Sequence, residues 1–224
     1  MNEKRPLKLN TDVVAVLVVA VATVLLGVQL HADQAYMFTY REAQQLLFLD
    51  WSYIVDLVAQ FGGVGIFLSQ FLVQFFIHLG VGAIVTALLA GGTAWMLWLT
   101  LRKINNRIAL LPLTMLPALV QIIQLVLAYH HYSGLVALFF VALALWGYSL
   151  CRNMEYKWHF AVGMALSLVL YLTIGSIGML FALCALLFDA MLKRDKWYLG
   201  VLYACVVAVV GSYLVQRGEI IDYE

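Results

Sequence analysis

The residues able to do chemistry crowd into one stretch, His31–His78. It holds Asp33, Glu42, Asp50 and Asp56 out of twelve acidic residues, and two of the five histidines. Asp33 follows the apolar run Val13–Leu30 by three residues. If that run crosses a bilayer, the carboxylate lies near headgroup depth, where a charge is affordable. It would serve there as a general base or metal ligand toward a lipid-linked substrate, or stand as an ordinary solvated acid. His31 and His78, with His130 and His131, would bind a divalent metal together with Asp33 or Glu42. No two of these histidines have a ligand spacing such as HExxH, and interfacial hydrogen bonding is the plain alternative. Arg41-Glu42 sets the only Lys or Arg of the stretch beside an acid. The pair would receive a phosphate or pyrophosphate. Equally, it would open a helix, with Glu42 favouring the dipole. Gln70, Gln74 and His78 recur at every fourth position and form a polar stripe, for a ligand or for packing against protein. Phe67, Phe71 and Phe75 form an aromatic stripe beside it. Asp50 and Asp56 do not share a helix face, so they make no paired-carboxylate site. No phosphate-binding loop, dinucleotide fingerprint, GxSxG or CxxC motif is present.

What must position these residues is a membrane protein. The chain is 65% hydrophobic and 11% charged, against about 45–50% and about 25% in soluble domains. With a mean hydropathy of +0.95, this apolar surface calls for lipid as solvent. A net charge of +1 gives no global field for nucleic acid. Cys151, Cys184 and Cys205 are irregularly spaced in or beside apolar segments and read as packing residues rather than a disulfide or zinc framework.

Read in order, the whole chain, 1–224, forms one all-α integral membrane domain. About 20 apolar residues cross the hydrocarbon core. Span one is 13–30; it is long for a signal-peptide core, and no small-residue cleavage pattern precedes His31. The loop 31–78 follows. Within it, Leu47, Trp51, Ile54, Val58 and Phe61 fall on one helical face, opposite Gln45, Ser52, Asp56 and Gln60. This predicts an interfacial amphipathic helix over 41–61, ended by Gly62-Gly63. A second interfacial helix is predicted over 64–77. Further spans are predicted at 79–101, 108–129 (kinked at Pro112 and Pro117), 135–150, 158–173, 178–192 and 197–216, seven in all. The pair 158–173 and 178–192 meets in a Gly/Ser turn; a re-entrant hairpin is its alternative. Three Lys or Arg precede span one, three lie in 102–107, two in 152–157 and three in 193–196, leaving Arg41 and Arg217 outside. The positive-inside rule then puts the N-terminus in the cytoplasm, and the 31–78 loop and the C-terminus outside it.

Gln44-Gln45-Leu46-Leu47-Phe48-Leu49, then Gly62-Gly63, then Phe67-Leu68-Ser69-Gln70-Phe71-Leu72-Val73-Gln74-Phe75-Phe76 resembles a family of uncharacterised bacterial multi-spanning membrane proteins. The resemblance covers about residues 30–100 well and the later spans loosely. It implies an inner-membrane location, and that this chain is a short member or the N-terminal piece of a longer one. The layout also resembles the membrane module of GT-C glycosyltransferases, with seven core spans, a large first external loop carrying two flat helices, and a catalytic acid just after span one. Asp33 stands at that place, with Gln34 where the commoner pattern has a second acid. This likeness implies a polyprenyl-phosphate-linked sugar as substrate, Asp33 as base or metal ligand, and Arg41, Glu42, Gln70 and Gln74 around the substrate. The alternative expectation is a non-catalytic scaffold or subunit bound to other envelope membrane proteins. A transporter is the third, its one pointer being the short interrupted pair at 158–192.

Overall fold

The computed structural model describes residues 11–78, 80–126 and 131–192. Among them all the regular secondary structure is helical: α1 (Thr11–Asp33), α2 (Ala35–Gln44), α3 (Trp51–Ala59), α4 (Gly63–Val73), α5 (Val81–Leu101), α6 (Leu111–Val126), α7 (Ser133–Leu150), α8 (Tyr156–Ile174) and α9 (Met179–Met191). Short 3-10 turns continue α4 over Gln74–Ile77, precede α6 over Ile108–Leu110, follow α7 over Cys151–Asn153 and join α8 to α9 over Gly175–Gly178. Five apolar helical segments are long enough to cross a membrane: Thr11–Asp33, Val81–Leu101, Ile108–Val126, Ser133–Asn153 and Lys157–Met191. The described residues take in six of the seven expected spans: four appear as single segments, and the pair 158–173 and 178–192 appears as one segment folded back on itself. The predicted span 197–216 lies outside the described residues.

The long helices alternate in direction. At one end of the bundle Asp12 of α1 meets Arg102 after α5, with Oδ1 and Nη1 2.7 Å apart. At the other end the His31 ring of α1 lies beside Gly80, which precedes α5. Five of the six described Lys and Arg residues (Arg102, Lys103, Arg107, Arg152, Lys157) sit at the first, basic end. Arg41 sits at the opposite, loop end. In lipid no water is expelled when helices meet, so close packing must hold them. The small residues of α5 allow this: Ala83, Ala87, Ala90 and Ala94 are buried. A methyl group on Gly91 would collide with Thr23 of α1, and one on Gly92 would lie 2.9 Å from Phe139 of α7. α5 and α7 are thus the central helices, with α1 and α6 against α5, and α8 and α9 against α7. Pro112 sits in the first turn of α6, where its missing N–H costs nothing, and Pro117 lies inside that helix.

The 31–78 loop forms a cap over one end. Gly62 and Gly65 of its third limb lie against Ile174 and Gly175 at the tip of the α8–α9 turn. Gly62 N–H donates to Leu172 O at 3.1 Å. Phe76, at the other end of that limb, packs edge-on against Tyr132 before α7, with ring centroids 5.1 Å apart, and against Phe38 of α2. α4 therefore runs from one set of helix ends to another, across the bundle. Its extent matches the helix expected over 64–77.

The helix expected over 41–61 is not continuous. Residues 45–50 leave the helix, and α3 restarts at Trp51. Gln74 Nε2 donates to Leu47 O at 2.8 Å, so a carbonyl that a helix would have used is satisfied from the facing limb. Asp50, in extended backbone, precedes α3 and accepts from the Ser52 hydroxyl. The break rotates the faces: Leu57 is buried, whereas Trp51 and Val58 of the expected stripe are exposed.

Candidate functional site

Asp33 is the last residue of α1 and is exposed, as is His31. A methyl group on Gly80 would lie 3.3 Å from His31 Nδ1; His78, two residues before Gly80, is also exposed. Among the described residues no group of three or more His, Cys, Asp or Glu side chains is placed to hold a metal ion. His131 is exposed ahead of α7, and His130 lies outside the described residues.

The candidate substrate-binding residues hold the cap together. Arg41 is only 3% exposed. Its Nη2 donates to Leu125 O at 2.7 Å. That carbonyl lies in the last described turn of α6. Burial lowers the pKa of the Arg41 guanidinium from its ordinary value. Glu42, the next residue, is half-buried. Gln70 Oε1 accepts from the Tyr53 hydroxyl at 3.4 Å, joining α3 to α4, and Gln74 joins α4 to the 45–50 connection. The cap presents apolar rings outward as well as exposed polar residues, among them Asp50, Ser52, Asp56 and Gln60. Phe67, Phe71 and Phe75 form a continuous ladder of ring contacts, with centroids 6.4 and 5.3 Å apart. Phe71 and Phe75 are 42% and 44% exposed, with Ile77, Phe48, Leu49 and Trp51 exposed around the cap.

The basic end holds a second polar centre. Lys103 Nζ donates to Ser149 Oγ at 2.9 Å, and Arg152 Nη1 donates to Lys103 O at 3.2 Å. Burial, then the charges of Arg152 and Arg102, lower the Lys103 pKa. Beneath this rim lies His159, 0% exposed on α8. Its Nε2 is 3.1 Å from Asp189 Oδ1 of α9, and its Nδ1 is 3.1 Å from Cys151 O. Tyr148 of α7 donates its hydroxyl to Asp189 Oδ2 at 2.7 Å, and its ring lies over the imidazole with centroids 4.1 Å apart. Neither Asp189 nor His159 was among the candidate residues read from the sequence. The signal was available: two antiparallel spans over 158–173 and 178–192 put residue 159 level with the end of the second.

A family profile, described as a family of unknown function (DUF6057), matches residues 9–223. No curated protein and no solved structure matches the chain.

Proposed function

Because the chain belongs to this family of unknown function, we propose from its own residues that it is a membrane-embedded assembly subunit. Its α2–α4 cap holds another membrane protein at the interface. The observation that carries this reading is how the cap distributes its groups. Arg41 and Gln74 turn inward and fasten the cap to itself and to α6. The phenylalanine ladder turns outward and lies half-exposed. A contiguous exposed aromatic patch on a rigid support is the usual character of an interaction surface. In this reading the α8–α9 hairpin crosses the membrane twice, since it runs from the basic end to the cap.

The test is co-purification from the native membrane. Phe71→Glu should leave the amount of chain in the membrane unchanged, because Phe71 fills no core position, and should remove the bound partner. Retention of the same partner by Phe71→Glu would refute the assembly reading.

The exposed Asp33 beside His31, at the end of α1, favours a second reading, transfer from a lipid-linked sugar with Asp33 as base or metal ligand. Asp33→Asn would then abolish transfer in vesicles carrying a polyprenyl-phosphate sugar, with the fold intact. Full transfer by that variant would end this reading.

A further inference from the structure

The polar cluster at the basic end has a hydrogen-bond pattern that neutral histidine and ionised aspartate cannot complete. His159 Nδ1 faces the carbonyl oxygen of Cys151, and Nε2 faces a carboxylate oxygen of Asp189. Both neighbours are acceptors. A neutral imidazole carries one N–H, so it satisfies one of them and turns a bare lone pair toward the other. Asp189 Oδ2 already accepts from the Tyr148 hydroxyl, so Tyr148 supplies nothing to the Nε2–Oδ1 contact. The ring is fully buried, and a lone pair held against an oxygen there is costly. One added proton removes the conflict. On Nε2 it makes an imidazolium that donates to both neighbours. On Oδ1 it makes a carboxylic acid that donates to Nε2, while Nδ1–H donates to Cys151 O.

The geometry points to a proton-binding site: His159, Asp189 and Tyr148 hold one proton between the two legs of the α8–α9 hairpin. The bookkeeping is one proton taken up by a neutral imidazole with its hydrogen on Nδ1 and a carboxylate. No other bond forms or breaks. Four elements face the site among the described residues. α7 brings Tyr148, the turn after it brings the Cys151 carbonyl, α8 brings His159, and α9 brings Asp189. Lys103 and Arg152 form the rim, and Glu155 and Lys157 start α8. Ionisable groups placed inside apolar helices mark proton or ion sites by default. This one joins the beginning of α8 to the end of α9, so the proton closes the open end of the hairpin. The inference rests on the hydrogen-bond pattern and is independent of the assembly reading.

The test uses the full chain in lipid nanodiscs with nitrogen-labelled histidine. His31, His78, His130 and His131 are changed to glutamine, so that His159 reports alone and the cluster itself is untouched. Near neutral pH the expected result is one of two signatures. Either both ring nitrogens are of the N–H type, or one is bare and the infrared spectrum carries a carboxylic acid carbonyl band that shifts with carbon-labelled aspartate. A bare ring nitrogen with no such band would overturn the proposal. Asp189→Asn is a second arm: its amide donates to Nε2 without any added proton, so the ring should become neutral. An imidazolium that persists in Asp189→Asn would also overturn it.

Discussion

Asp189→Ala is expected to destabilise the chain by about 3 kcal/mol, the lower end of the range for removing one partner of a buried pair. The variant leaves the His159 ring, with no exposure of its own, facing a void where Oδ1 stood. It also strips the Tyr148 hydroxyl of its acceptor at 2.7 Å. Asp189→Asn should cost much less, about 1 kcal/mol, because its amide oxygen still accepts from Tyr148 and its N–H₂ donates to Nε2. His159→Ala removes the same contact from the other side. The double variant should then fall short of the sum of the single ones by about 1–3 kcal/mol. Unfolding in a detergent series reads all five chains, wild type included. Equal stability of wild type and Asp189→Ala would show that the cluster does not hold the hairpin.

Gly175→Ala is the second large effect. Gly175 follows α8 with φ 77° and ψ −153°. That region is open in practice to glycine alone, and holding another residue there costs about 1–3 kcal/mol. The added methyl would also lie 3.6 Å from Gly62 Cα and from Phe61 Cε1, at the contact where the cap rests on the hairpin tip. A loss of about 2 kcal/mol is expected. Gly147→Ala is the opposite case. Gly147 lies inside α7 with nothing within 4 Å of a would-be methyl group. There alanine should stabilise by about 1 kcal/mol through helix propensity. The same substitution at the two glycines thus carries opposite signs. A loss at both would mean that the backbone conformation at residue 175 is not the cause.

The long helices were legible because each is a run of apolar residues bounded by charge or glycine. The runs predicted at 79–101, 135–150 and 178–192 lie within two residues of α5, α7 and α9. The break at 45–50 was not legible. Leu47, Trp51, Ile54, Val58 and Phe61 keep helical spacing straight through it. What interrupts the helix is a bond from Gln74, twenty-seven positions away. Local periodicity carries no trace of such a partner. The same limit applies to Arg41. As a lone cation in an external loop it reads as a phosphate ligand; its actual acceptor, Leu125 O, is eighty-four positions away. His159 was not legible either. It falls at the start of the predicted span 158–173 without a partner in sequence, and only the hairpin pairing brings it beside Asp189 beneath the rim.

The assembly reading is tested most directly by photo-crosslinking. A photoreactive residue in place of Phe71, in the chain expressed in its native membrane, reports what lies against the aromatic ladder. The account predicts a protein adduct of one fixed mass, reproduced from position 75 on the same ladder. Adducts to lipid alone at both positions would contradict it and leave the cap as a face that rests on the bilayer.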